Sequence, residues 1–189
     1  MTHASEWISD GSSRGPRVDW GALGDQTEGK AMVIVSKAVL VAAVLAAGLL
    51  AGLFYAYTVS VMPGLAHADD HTFVTAMRRI NDAILNGWFM LSFLGAPLLA
   101  IAAVVLHFTS GARGGLPWLV AGAALLMATV VVTGAANVPM NNALAADTVD
   151  FAALRAQFEQ PWVRWNLVRT VLSAAGFGCL VGAVVTRGT

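Results

Sequence analysis

Trp162, Asn166 and Arg169 stand at i, i+4 and i+7 in the stretch PWVRWNLVR, residues 161–169. On a helix this spacing puts an indole, an amide and a guanidinium on one stripe. Trp165, four residues before Arg169, falls on nearly the same face. Such a set can wall a flat aromatic molecule and hold a developing oxyanion. A second group lies in GAANVPMNNAL, where Asn137, Asn141 and Asn142 crowd one helix end. One Asn there is ordinary, because Asn tolerates the left-handed conformation of a C-terminal cap; three exceed what capping requires. The first long loop adds Arg79, Asn81 and Asn86, and Tyr55 and Tyr57 sit near the end of an apolar run. HADDH places His67 and His71 four apart, the spacing of helical metal sites. That segment follows Pro63-Gly64, reads as loop and has no third ligand at a matching spacing. All of these side chains also have ordinary uses, since Trp and Tyr anchor membrane interfaces and Arg snorkels to headgroups.

The elements that must position them are membrane helices. Of 189 residues, 57% are hydrophobic and only 12% charged, about half the charge of a soluble domain. Mean hydropathy is +0.69. Net charge is zero, which gives no footprint for nucleic acid. The apolar residues gather in four runs, about 38–61, 84–106, 116–136 and 167–185. Each is long enough as a helix to cross a hydrocarbon core of about 30 Å, and none alternates as a strand would. The expected fold is therefore all-α: a four-helix transmembrane bundle with two amphipathic helical loops on one side. Those loops are PGLAHADDHTFVTAMRRIND and NVPMNNALAADTVDFAALRAQFEQ. In the first, Asp69 or Asp70 caps a helix bearing Phe73, Met77, Ile80 and Ile84 on one face. In the second, Asp150 caps one bearing Phe151, Leu154 and Phe158. Pro63 and Pro139 fall just past the ends of spans 1 and 3, Pro117 and Pro161 at first-turn positions, and Pro97 inside span 2, where it should kink the helix. Gly48-x-x-x-Gly52 and Gly178-x-x-x-Gly182 allow close helix contact. Each hairpin repeats a Pro-ended helix, a capped amphipathic segment and a second helix, which hints at a 2+2 repeat.

Residues 1–31 are polar and aperiodic and read as a disordered tail, with Met32 as an alternative start; 32–189 form the membrane domain. Basic residues divide six to five between the two faces of the bundle. With long loops discounted, the vote leans to both termini in the cytoplasm. The centres of the spans lack the ionisable residues of a proton pump or ion transporter. His107 ends span 2 and no His lies mid-span, which disfavours a b-type cytochrome. The single cysteine, Cys179, rules out an intramolecular disulfide and a CxxC motif. Arg169 lies one turn inside its apolar run. A charge at the centre of a lone helix costs about 2.5–3.5 kcal/mol and less near an end, and it is best kept facing the bundle.

GLFYAYTVSVMPGL, MRRIN, NVPMNNAL and WVRWNLVR occur in this order across the spans. The set resembles the anthrone oxygenase-like family of small four-span integral membrane proteins, a domain long catalogued as of unknown function. The resemblance covers residues 33–185. Its matching positions are Pro63, Asn81, Asn137, Pro139, Asn141, Trp162, Trp165, Asn166 and Arg169. It implies a four-helix membrane bundle and, for some fungal members, oxidation of anthrones to anthraquinones. Combined with the residues, it leads to these expectations. Arg169, Asn166 and Asn141 would be catalytic, holding the enolate oxygen. Trp162, Trp165, Asn137, Asn81 and Tyr55 would bind substrate, and His67 or His71 would serve as base if their loop folds inward. No metal site and no dedicated cofactor are expected, with O2 as co-substrate; a loop-bound metal or haem stays open. The expected partners are the lipid bilayer and a small apolar aromatic substrate, not nucleic acid, with a homo-oligomer left open. The location would be the cell membrane. The competing class is a non-catalytic membrane scaffold, partner subunit or small-lipophile binder whose polar cluster locks spans 3 and 4 together.

Overall fold

The computed structural model describes residues 20–109, 114–145 and 149–187. Helix α1 (Trp20–Ala56) runs through a π turn (Tyr57–Val61) into the short α2 (Met62–Leu65). Then come α3 (Asp70–Ile84) and α4 (Gly87–Thr109). Helix α5 (Leu116–Val132) passes through a second π turn (Thr133–Asn137) into α6 (Val138–Leu144), and α7 (Phe151–Arg187) completes the chain. Four stretches are long and apolar enough to cross a membrane: Gln26–Leu65, Gly87–Thr109, Leu116–Leu144 and Phe151–Thr186. The fold is the expected all-α bundle, and the chain is a multi-pass membrane protein.

The spans pack in a ring, α1 against α4, α4 against α5, α5 against α7 and α7 against α1. Their shared core is built from small residues, with Ala43, Ala47, Ala96, Ala100, Ala103 and Ala183 around Leu40, Leu119, Leu126 and Leu180. Lipid tails are as apolar as leucine, so helices in a bilayer gain by close backbone approach rather than by escaping water. The larger side chains Leu45, Leu49, Leu98 and Val131 face outward. Helices α5 and α7 approach closely at their glycines. A Cβ on Gly122 would lie 2.9 Å from Leu180 Cδ2 and 3.3 Å from the Gly176 carbonyl oxygen. Of the two small-residue pairs, Gly48 meets Phe177 and Gly182 meets Trp118, whereas Gly52 and Gly178 have open space beside them.

Both long connections lie over one end of the ring and form a second core of Met62, Phe73, Val74, Met77, Leu144, Phe158 and Trp162. Asp69 caps α3, accepting from Thr72 N (3.0 Å) and Thr72 Oγ1 (2.6 Å); these bonds hold its carboxyl below the usual carboxylate range. Asp150 caps α7 through Ala153 N at 3.0 Å, and Asn86 caps α4 through Phe89 N at 3.0 Å. Arg155 ties the layer together from α7. It donates to the carbonyls of Ala66 (2.9 Å) and Ala68 (2.7 Å), pairs with Asp70 (3.1 Å) and Glu159 (2.7 Å), and stacks over Phe73 at 4.7 Å.

Three expectations change. Pro63 and Pro139 do not end spans 1 and 3; each sits in the first turn of a short helix that continues the span. A proline lacks the N–H and crowds the carbonyl four residues back. Here the preceding turn widens, so that Met62 N–H donates to Tyr57 O and Val138 N–H to Thr133 O, five residues back. Pro63 and Pro139 have the same offset from Tyr57 and Thr133, so the two hairpins share this device. Pro161 lies inside α7 rather than in a first turn, and the amphipathic segment after Asp150 is the opening of that same helix. Finally, α1 begins at Trp20, so residues 20–31 extend the first span's helix instead of forming tail; propagation from a formed helix costs little. Residues 1–19 lie outside the described residues.

Candidate functional site

Where the bundle meets the cap layer, the two π turns face a common cavity, with Tyr57 from the first and Thr133 from the second in its lining. It encloses about 620 Å³ of empty space, open mouth included. Phe54, Phe89, Phe93 and Trp162 supply aromatic walls, Ile84 and Leu85 at the end of α3 part of the rim, and Asn81, Asn141, Asn166 and Arg169 the polar groups. Pi turns displace side chains from the regular helical register and are frequent at functional sites.

Arg169 is only 6% exposed. Its guanidinium carbon lies 4.4 Å from the Phe54 ring centre and 5.3 Å from that of Trp162. Nη2 donates to Asn166 Oδ1 at 2.9 Å, while the buried Nε has no partner. Among the described residues no carboxylate pairs with it. The two aromatic faces attract the cation, but a desolvated guanidinium with an unmet donor remains a ready receptor for an anionic oxygen.

Asn166, 1% exposed, holds both the arginine and helix α1. Its Nδ2 donates to Thr58 Oγ1 (2.9 Å) and to the Phe54 carbonyl (3.2 Å). Thr58 Oγ1 is also 3.0 Å from Thr170 Oγ1, which donates to Asn166 O at 2.9 Å. The expected lock between spans 3 and 4 is therefore chiefly one between spans 1 and 4. Spans 3 and 4 are joined through Asn141, whose Oδ1 accepts from Trp162 Nε1 at 2.9 Å. That bond orients the indole, whose ring lies 5.6 Å from Tyr57 and 5.9 Å from Phe158.

The structure thus brings Arg169, Asn166, Asn141, Trp162 and Asn81 to one cavity. Asn137 is fully buried but is not in the cavity lining; neither of its side-chain polar atoms has a partner. Trp165, 42% exposed, and Tyr55, 59% exposed, point away, as expected for membrane anchors. His67 is exposed on the α2–α3 connection and His71 in the first turn of α3, where it packs edge-on against Phe151 at 4.7 Å. Neither lines the cavity, so the inward fold that a base would need is not seen. Among the described residues no group of three His, Cys, Asp or Glu side chains is placed to hold a metal. Phe54, Thr58, Phe89, Phe93 and Thr133 are not singled out by type or spacing in the sequence, and of the two tyrosines it is Tyr57, not the expected Tyr55, that enters the cavity. The prolines after each π turn were the available signal.

A four-span helical membrane protein with an aromatic-walled, arginine-centred cavity at one end of its bundle is the class that fold and site define. Within it, residues 88–179 of this chain match the family model described as anthrone oxygenase. The match runs from the first turn of α4 into α7 and includes Asn137, Asn141, Trp162, Asn166 and Arg169; α1 and Asn81 lie outside it. No curated protein and no solved structure matches the chain.

Proposed function

We propose that this protein is a membrane-embedded oxygenase that oxidises anthrone-like polycyclic aromatic molecules with O2, without a dedicated cofactor. It would reside in the cell membrane with both termini in the cytoplasm. The observation that carries the proposal is the buried Arg169 guanidinium, held against the Phe54 and Trp162 rings with its Nε donor unmet. An anthrone has a carbonyl and a weakly acidic methylene on its central ring. Loss of one methylene proton gives a delocalised enolate whose oxygen would sit at Arg169, steadied by Asn166 in a site of low dielectric. The enolate passes one electron to O2, and the resulting pair of radicals joins in a C–O bond. The lost proton returns to the peroxide oxygen. Removal of the second C–H proton with cleavage of the O–O bond then leaves a carbonyl and water. The balance is CH2 + O2 → C=O + H2O. The cavity lining holds no carboxylate or imidazole, so water at its mouth would relay the protons. The gain assigned to the protein is electrostatic stabilisation of the anion and alignment of a flat ring.

The test is aerobic oxidation of an anthrone by the full chain in nanodiscs, followed by quinone absorbance and O2 uptake against the spontaneous background. A rate above background that is lost in Arg169→Ala supports the proposal; an unchanged rate in correctly inserted Arg169→Ala would sink the oxyanion role. A second reading is favoured by the bonds from Asn166 and Thr170 to Thr58: a non-catalytic membrane protein in which the cluster is structural. There, replacing Arg169 or Asn141 lowers thermal stability sharply and no anthrone is turned over.

A further inference from the structure

The cavity continues into a second space. Asn81, Ile84, Leu85, Val138 and Asn141 line both it and a neighbouring pocket between α3 and α6. That pocket has about 750 Å³ of empty space, open mouth included, and is bordered by Asp82 and Asn142. The inner cavity is walled by aromatic rings; the outer one has none and mixes Arg78, Asp82 and Asn142 with aliphatic side chains. At their junction stands Asn81, whose buried Nδ2 has no hydrogen-bond partner. Among the described residues, the other buried side-chain polar atom of the inner lining without a partner is Arg169 Nε. Both are donors. Leaving a donor unmet in a desolvated site is costly, and a ligand acceptor recovers that cost.

We propose that Asn81 is a specificity-determining residue: it selects polycyclic substrates that carry a second acceptor oxygen on an outer ring, with the substituent passing into the outer pocket while the reacting carbonyl sits at Arg169. The placement of the carbonyl rests on the oxygenase proposal; the Asn81 subsite is a matter of binding and can be tested without turnover. Two donors at separate points also fix a flat ring in one orientation, which apolar walls alone cannot do. A site built to pair with an oxygen rejects the analogue lacking it far better than a hydrophobic wall rejects an extra methylene.

The experiment compares two anthraquinones of equal size, one with a methoxy and one with an ethyl group on an outer ring. Binding to the full chain in nanodiscs is followed by quenching of tryptophan fluorescence. The methoxy compound should bind roughly five-fold more tightly, the net worth of one hydrogen bond. Asn81→Leu should bring the ratio to about one. Asn81→Asp, which puts an acceptor in place of the donor, should invert it. Equal binding in the wild type, a preference kept in both variants, or no binding of either quinone would overturn the proposal. If the methoxy preference is present and Asn81-dependent while no anthrone is oxidised, the subsite stands and the oxygenase proposal falls.

Discussion

The Arg169 guanidinium carbon lies 4.4 Å from the centre of the Phe54 ring, so a buried cation of the fourth span rests on an aromatic face of the first. With the Trp162 ring also near, 5.3 Å away, and no carboxylate partner among the described residues, the arginine is positioned but not neutralised. Its removal therefore separates the two functional readings. Arg169→Gln should slow anthrone oxidation by about 10²–10³, the usual cost of deleting one oxyanion donor. The thermal midpoint in detergent should hold or rise, because an unpaired buried charge is removed. A fall of several degrees with the oxidation rate intact would reverse the assignment. Arg169→Lys should recover little activity, since an ammonium lacks the planar fork that stacks on aromatic rings.

Asn166 reaches α1 through the hydroxyl of Thr58. Thr58→Val keeps the shape and removes that acceptor, which should cost about 1–3 kcal/mol and lower the midpoint by several degrees. Thr170→Val touches the same hydroxyl pair, so the double variant should cost less than the sum of the singles. Additive midpoints would show that the threonines act apart.

The bundle and half of the cavity were legible because they obey a single period. Trp162, Asn166 and Arg169 share a stripe at 3.6 residues per turn, and the apolar runs set the spans. The other half breaks that period. Tyr57 opens the π turn and enters the cavity, while Tyr55, two residues before it and so roughly 200° round the helix, faces outward. Phe54, Phe89 and Phe93 are apolar residues in apolar helices; only packing distinguishes a cavity wall from a lipid-facing side chain. His67 and His71 attracted attention by type, but their segment keeps them on the surface.

Glycine spacing made a similar demand on packing. A Cβ at Gly122 would lie 3.1 Å from Leu180 Cγ and 3.3 Å from the Gly176 carbonyl oxygen, whereas nothing lies within 4 Å of one at Gly52. Gly122→Ala should destabilise the bundle by about 1–3 kcal/mol by forcing α5 and α7 apart. Gly52→Ala should be neutral or stabilise by about 0.5–1 kcal/mol through helix propensity. Thermal unfolding of both in one detergent checks the contrast, and equal midpoints would refute the packing argument.

Arg155 holds the cap layer without touching the cavity. Its bonds to the Ala66 and Ala68 carbonyls and to Asp70 fix the connection leading into α3, and α3 carries Asn81 and Ile84 to the cavity. Arg155→Met keeps a side chain over Phe73 and deletes every one of those donors. Amide exchange in residues 66–73 should then speed up by about ten-fold or more, since charge-assisted bonds of this kind contribute roughly 1.5–3 kcal/mol. For anthrone oxidation the expected signature is a higher KM with kcat little changed, because the variant loosens the wall that binds substrate and leaves Arg169 and its aromatic supports in place. A loss confined to kcat would instead tie Arg155 to the chemical step, and unchanged exchange would show that the apolar contacts of Phe73, Met77 and Phe158 hold α3 by themselves.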